Sequence, residues 1–296
     1  MGKLKAPILV LFLMGFFTSN SRGEQMSMSG RLIYSSGANN IMLLELESLQ
    51  SQIIYDRSPA VSPIARLTKV STGKFIFEEC PVTGTCVLKE FDLNKRVARE
   101  LCKGQMPTYL AQTNSLMFYA VAEDTNEKWL FLARLDAMEA PRKVAKAPPA
   151  IRLPNGLLYR PEKPPLEISS DEVVFVGEDH SLWIYKISQS KLQPTGIAHS
   201  FPEVWRNRTQ DLIIYDWEAK AHYRVNLDTK QTEKLPQYES AFGLFYIPEL
   251  DTLIYGKARL YLFIAERYDL FAYNFAEAKE IKLQSNVGIS SGIWLP

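Results

Sequence analysis

One pattern constrains this chain more than any other. A short apolar run ending in an aromatic recurs six times: Leu32-Ile33-Tyr34, Phe75-Ile76-Phe77, Leu116-Met117-Phe118, Val173-Val174-Phe175, Ile213-Ile214-Tyr215 and Leu253-Ile254-Tyr255. Successive aromatics lie 43, 41, 57, 40 and 40 residues apart. Each run is β-branched or aromatic, short, and bounded by turn formers, which marks a buried strand rather than a helix. Periods of 40 to 45 residues with several short strands per unit are the signature of a β-propeller blade. Helical repeats of that length need sustained 3.6-residue periodicity, and the sequence has none.

The rest of each unit fits. A second strand-like segment follows each run: Ile41 to Glu47, Cys86 to Leu93, Trp129 to Asp136, Leu182 to Ser188, Tyr223 to Asp228 and Leu270 to Phe275. Polar segments such as Arg96 to Cys102 and Lys279 to Leu283 then read as outer strands, where charge discourages edge pairing. In Phe91-Asp92, Leu135-Asp136 and Leu227-Asp228 the aspartate is expected to open the turn by accepting backbone N–H groups two residues on. The expected fold is all-β: a propeller of six four-stranded blades, with seven possible. The first unit lacks an innermost strand and the last stretch has no blade, so Gly292-Ile293-Trp294-Leu295 is expected to close the ring. Two places disturb the count. Six of the 17 prolines crowd between Pro148 and Pro165, where the interval lengthens to 57, and Leu260 to Ala265 adds an apolar run inside the sixth unit.

The stretch Ser169-Ser170-Asp171-Glu172-Val173-Val174-Phe175-Val176, followed by Asp179-His180-Ser181-Leu182-Trp183-Ile184-Tyr185, resembles the repeat of TolB-type propellers. In those a Ser-x-Asp turn opens a buried strand, and a polar loop leads to an aromatic-bearing one. The unit from Ser115 to Asp136 is similar, whereas Ser71-Thr72-Gly73 and Gln112-Thr113-Asn114 depart from the motif. The resemblance implies a binding or scaffolding platform, often periplasmic, and transfers no catalytic residues.

The N-terminus points to export. Lys3 and Lys5 precede an apolar run from Ile8 to Phe17, and Ser19 and Ser21 supply small residues before a cleavage near Arg22. Ten residues make about 15 Å of helix, half of the roughly 30 Å a membrane span needs. The expected division is a cleaved signal peptide over 1–21 and a propeller over 22–296, periplasmic or secreted, with no transmembrane segment after cleavage. Removing the leader leaves 32 basic against 33 acidic residues, so no basic stripe is expected and nucleic acid is excluded as a partner. In an oxidising compartment the three cysteines admit three pairings. Cys80 with Cys86, flanking the turn-forming Pro81 to Thr85, is favoured over three buried thiols.

Catalytic signatures are absent. There is no Gly-x-Ser-x-Gly elbow, phosphate loop, calcium loop or His-x-x-x-His spacing among His180, His199 and His222. No cofactor, metal ligand or catalytic residue is therefore assigned. Trp205 and Arg206 fall where the fifth blade needs its innermost strand, and Trp217 ends the strand after it. Aromatic and arginine side chains are favoured binding anchors. His180 sits in a polar loop beside Glu178 and Asp179, with a solvated hairpin tip as its plainer reading. Trp205, Arg206, Trp217 and His180 are the candidate binding residues. The expected function is an exported, non-enzymatic platform for a protein, peptide or glycan partner. The alternative is an exported hydrolase or lyase with its site in the central channel.

Overall fold

The computed structural model describes residues 29–36, 40–56, 64–81, 84–138, 140–152, 158–159, 162–235, 241–261, 265–285 and 289–296. The expected leader over 1–21 lies outside them. Six four-stranded antiparallel sheets account for nearly all of the described chain. From innermost to outermost strand, blade two is Ile64–Ser71, Lys74–Glu79, Val87–Asp92 and Val97–Lys103. Blade three is Gln105–Leu110, Ser115–Val121, Lys128–Arg134 and Arg142–Lys146. Blade four is Leu166–Glu167, Glu172–Val176, Ser181–Lys186 and Lys191–Ala198. Blade five is Ser200–Arg206, Asp211–Asp216, Ala221–Asn226 and Thr232–Lys234. Blade six is Ala241–Ile247, Thr252–Tyr261, Ala265–Asn274 and Lys279–Gln284.

Blade one is assembled from both ends of the chain. Arg31–Ser36, Asn40–Glu45 and Gln50–Asp56 form its outer three strands, and Ile289–Leu295 pairs antiparallel with Arg31–Ser36 as the innermost. The expected closure holds, with Leu32 opposite Trp294 and Ile33 opposite Ile293. Because side chains alternate across a strand, the closing strand serves two interfaces at once. Ile293 and Leu295 enter the core shared with blade two, while Trp294 packs on the core shared with blade six.

The recurrent aromatic-ended runs are the second strands. They are buried on both faces because each blade is sandwiched between two others, so they read as continuous apolar runs rather than alternating ones. Tyr34, Phe77, Phe118, Phe175 and Tyr255 are all sealed from solvent. At about 25 cal/mol per Å² of apolar area, each such ring contributes several kcal/mol of burial before chain entropy opposes it.

Both irregularities resolve without a seventh blade. The proline-rich stretch carries a two-stranded ribbon, Ile151–Arg152 with Leu158–Tyr159, in the connection to blade four, whose innermost strand is only Leu166–Glu167. Prolines at 164 and 165 cannot donate to a ladder, which keeps that strand short. In blade six the extra residues lengthen the central hairpin, whose pairing runs from Thr252 with Asn274 out to Tyr261 with Ala265.

The turns correct one expectation. Asp92 does accept the N–H groups of Asn94 and Lys95 at 3.0 and 3.1 Å, closing a turn that ends with Arg96 at φ 53°. Asp136 instead takes a two-pronged bond from Arg134, and Asp228 is itself turned by Asn226, whose Oδ1 accepts the N–H groups of Asp228 and Thr229. Asp216 plays the same part for Glu218 and Ala219. The acceptor belongs at the last ladder residue, and in blade five that residue is Asp216 at one turn and Asn226 at the next.

Candidate functional site

An innermost strand uses one edge for its ladder and turns the other toward the ring axis. All six do so here, enclosing a central cavity of about 630 Å³. Its wall is rich in proline, with Pro107, Pro164, Pro165, Pro202 and Pro248, and carries the rings of Trp205, Phe245 and Tyr246. Proline has no N–H, so at these five positions the wall offers no backbone donor. The charged lining residues are Arg66, Lys163, Glu167 and Glu203. Lys163 donates to Glu203 at 3.2 Å and lies over the Phe201 ring at 5.0 Å. Glu167 has no ion pair or hydrogen bond among the described residues, and burial alone pushes its carboxyl above the ordinary glutamate range.

Behind this wall, where blades two, three and four meet, lies a set of buried charges. Glu78 is 5% exposed and accepts the Met106 N–H at 2.6 Å. Burial nevertheless raises its carboxyl, outweighing that bond and the nearby cations Arg66 and Lys128. Lys128 donates to Glu162 at 2.9 Å, and the Thr108 hydroxyl donates to the Pro165 carbonyl. These contacts tie the connection entering blade four onto blade three and so fix the position of Glu167. Tyr119 is fully buried beside Glu162, and its hydroxyl is pushed far up by desolvation.

Cys80 and Cys86 form a disulfide on the turn between the middle strands of blade two, with Cα atoms 4.0 Å apart. Among the described residues they make, with Glu78, the only set of three groups spaced as metal ligands could be. Sulfurs joined to each other cannot serve as thiolate ligands. Cys102 is a half-buried free thiol, pushed up to about 12 by burial and the Glu100 charge.

The four candidate binding residues separate into two groups. His180 and Trp217 stand on the end of the ring that carries the turns between second and third strands, their ring centroids 6.3 Å apart. His180 Nε2 is 3.0 Å from the Pro149 carbonyl, and the Trp217 ring packs tilted against Phe201 with centroids 4.8 Å apart. His199, which no sequence motif marked, completes this cluster. Its N–H donates to the His180 carbonyl at 3.0 Å, its ring meets Trp217 at 5.8 Å, and its Nδ1 is 3.3 Å from Glu218. His222 lies apart, buried against Tyr215 at 5.0 Å.

Trp205 and Arg206 close the innermost strand of blade five at the opposite end. Trp205 lines the cavity. Arg206 is 4% exposed, and its guanidinium bridges to both oxygens of Asp251 at 3.2 Å and to Asp211 at 3.6 Å. The guanidinium carbon sits 3.7 Å from the centroid of Phe275, and the Tyr246 hydroxyl donates to Asp251 at 2.5 Å. Arg206 is therefore a clamp between blades five and six.

No protein-family model matches the sequence, and no curated protein matches it. Among solved structures the chain is similar to TolB from Acinetobacter baumannii, at 12% identity over 90% of this chain and 67% of that one, with a TM-score of 0.64. It is also similar to an oligogalacturonate lyase in complex with manganese, at 12% identity over 77% of this chain and 70% of that one, with a TM-score of 0.52. Likeness at such identity speaks to architecture alone. In fold, the chain is a six-bladed β-propeller of the TolB type.

Proposed function

We propose that this protein is an exported binding platform whose central channel receives a segment of a polypeptide partner. The observation that carries the reading is the character of the channel wall. All six blades contribute to it, five prolines and three aromatic rings stand among its lining residues, and its volume suits a short extended segment rather than a whole domain. Rigid blades hold such a wall in place, so binding costs little reordering. A hydrolase or lyase reading is less favoured. Of the two carboxylates lining the cavity, Glu203 is engaged by Lys163, and none of the three histidines lines it. Export is supported by the leader-like pattern at the N-terminus and by the Cys80–Cys86 disulfide, which suits an oxidising compartment. Among the described residues no helix is long and apolar enough to cross a membrane.

The test is site-specific photo-crosslinking of the full chain in its source cells. A benzoylphenylalanine at Gln112, on the exposed turn where blade three meets the channel mouth, is expected to give one discrete protein adduct. The same probe at Val97, exposed on the outer strand of blade two, is expected to give none. An adduct at Val97 but none at Gln112 would refute the channel as the binding surface.

A further inference from the structure

The charges of the channel do not cancel locally. Lys163 is held by Glu203 at 3.2 Å, and Arg66 acts on the buried Glu78. That leaves Glu167, on the two-residue innermost strand of blade four, as a partly buried carboxylate facing the cavity without a cation. Among the described residues desolvation is the single cause acting on its protonation, and neither a second carboxylate nor a cation lies close enough to perturb it. A half-buried carboxylate without a partner costs free energy that a complementary cation recovers.

The chemistry narrows the cation. A divalent metal takes six or more oxygen ligands or several carboxylates, and Glu167 stands alone. A single organic cation needs one carboxylate and a surface for its apolar stem. The prolines and the rings of Trp205, Phe245 and Tyr246 in the same cavity are such a surface. We propose that the segment entering the channel carries a lysine or arginine, and that Glu167 is the carboxylate that receives it. This rests on the channel-binding reading above and names the chemistry that reading leaves open.

The experiment measures binding of two degenerate heptapeptide mixtures to the full chain, one with lysine fixed at the central position and one with norleucine, which has a similar stem and no charge. A charge-assisted hydrogen bond in a partly desolvated site predicts tighter binding of the lysine mixture by about tenfold or more. Glu167→Gln should erase that preference while leaving the unfolding midpoint within a degree or so. Glu218→Gln, on the exposed turn beside His199, should preserve it. Equal binding of both mixtures, or a preference that survives Glu167→Gln, overturns the assignment. So does binding of neither mixture, or Glu167-dependent binding of spermidine in place of the lysine mixture. In each of these cases an intact Gln112 adduct leaves the channel reading standing. Loss of that adduct together with loss of peptide binding removes both.

Discussion

Replacing Arg206 with methionine tests whether blades five and six are clamped by charge. The side chain is buried, and so are both of its carboxylate partners, Asp251 and Asp211. Methionine fills much of the same volume, so the loss is electrostatic rather than a cavity. Removing one partner of a buried ion pair typically costs about 3–5 kcal/mol, because the remaining charge is left desolvated. Here the lower end applies. Asp251 keeps the Tyr246 hydroxyl, and Asp211 keeps Arg224, whose Nη1 is 3.9 Å away. The loss of the Phe275 face adds up to about 2 kcal/mol in a desolvated setting. A total cost of about 3–5 kcal/mol corresponds to roughly 6–10 °C in a chain of this size, taking about 2 °C per kcal/mol. The assay is urea unfolding followed by tryptophan fluorescence, run as a cycle with Asp251→Asn. Asparagine tolerates the left-handed backbone at 251, where φ is 45°, and keeps an acceptor for Tyr246. The two changes should couple by at least about 1 kcal/mol. A single-variant cost below about 1 kcal/mol with no coupling would mean that the pair is solvated, and the clamp would not exist.

Other outcomes follow from the turns, the buried acid, the disulfide and the ring closure. Asn226→Ala should cost about 1 kcal/mol and Asp228→Ala almost nothing, read from unfolding midpoints, because only Asn226 accepts the turn N–H groups. Glu78, raised by burial, binds its proton more readily folded than unfolded. Its contribution is present below the ordinary glutamate value near 4.5 and lost as pH rises through its folded value. The stability difference between the wild-type chain and Glu78→Gln should therefore shift toward wild type on acidification through that window, and a flat difference would contradict it. Reducing the Cys80–Cys86 bridge should cost about 2 kcal/mol by loop entropy, while Cys102 should resist alkylation at pH 8 until denaturant is added. Gly292→Ala should destabilise by about 1–3 kcal/mol, because a Cβ there would come within 2.5 Å of the Phe245 ring.

The architecture was legible because its most conspicuous element is also its most buried. A second strand covered on both faces must be apolar throughout, so Phe75-Ile76-Phe77 or Ile213-Ile214-Tyr215 announces itself without reference to any partner. The closing strand was legible by subtraction, since Ile293-Trp294-Leu295 had no blade and Arg31–Ser36 had no inner neighbour. The channel was not. Each blade contributes a few residues to its wall, and Glu167 sits between Pro165 and Ser169 in a stretch that matches no motif. Its significance depends on what is missing around it in three dimensions. Arg206 illustrates the converse. At the mouth of an innermost strand it reads as an exposed anchor, until the ring brings up Asp251 from 45 residues further along. The pairing of His180 with His199 was hidden in the same way, by a ladder that returns the outer strand of blade four to its starting turn.

The shared first blade has a consequence for how the molecule comes apart. Five junctions in the ring join neighbours in sequence, whereas the seam joins Leu32 to Trp294 across nearly the whole chain. Bringing such distant segments together carries the largest loop-closure entropy in the fold, and that cost is met only once every intervening blade is in place. The same strand then caps two apolar interfaces, so its detachment would open both together rather than one at a time. The propeller should therefore behave as a bracelet with one clasp. A circular permutant opened at the 217–220 turn and joined between the present ends would carry its clasp in blade five. Hydrogen exchange should then report fastest opening there, with blade one become as slow as its neighbours.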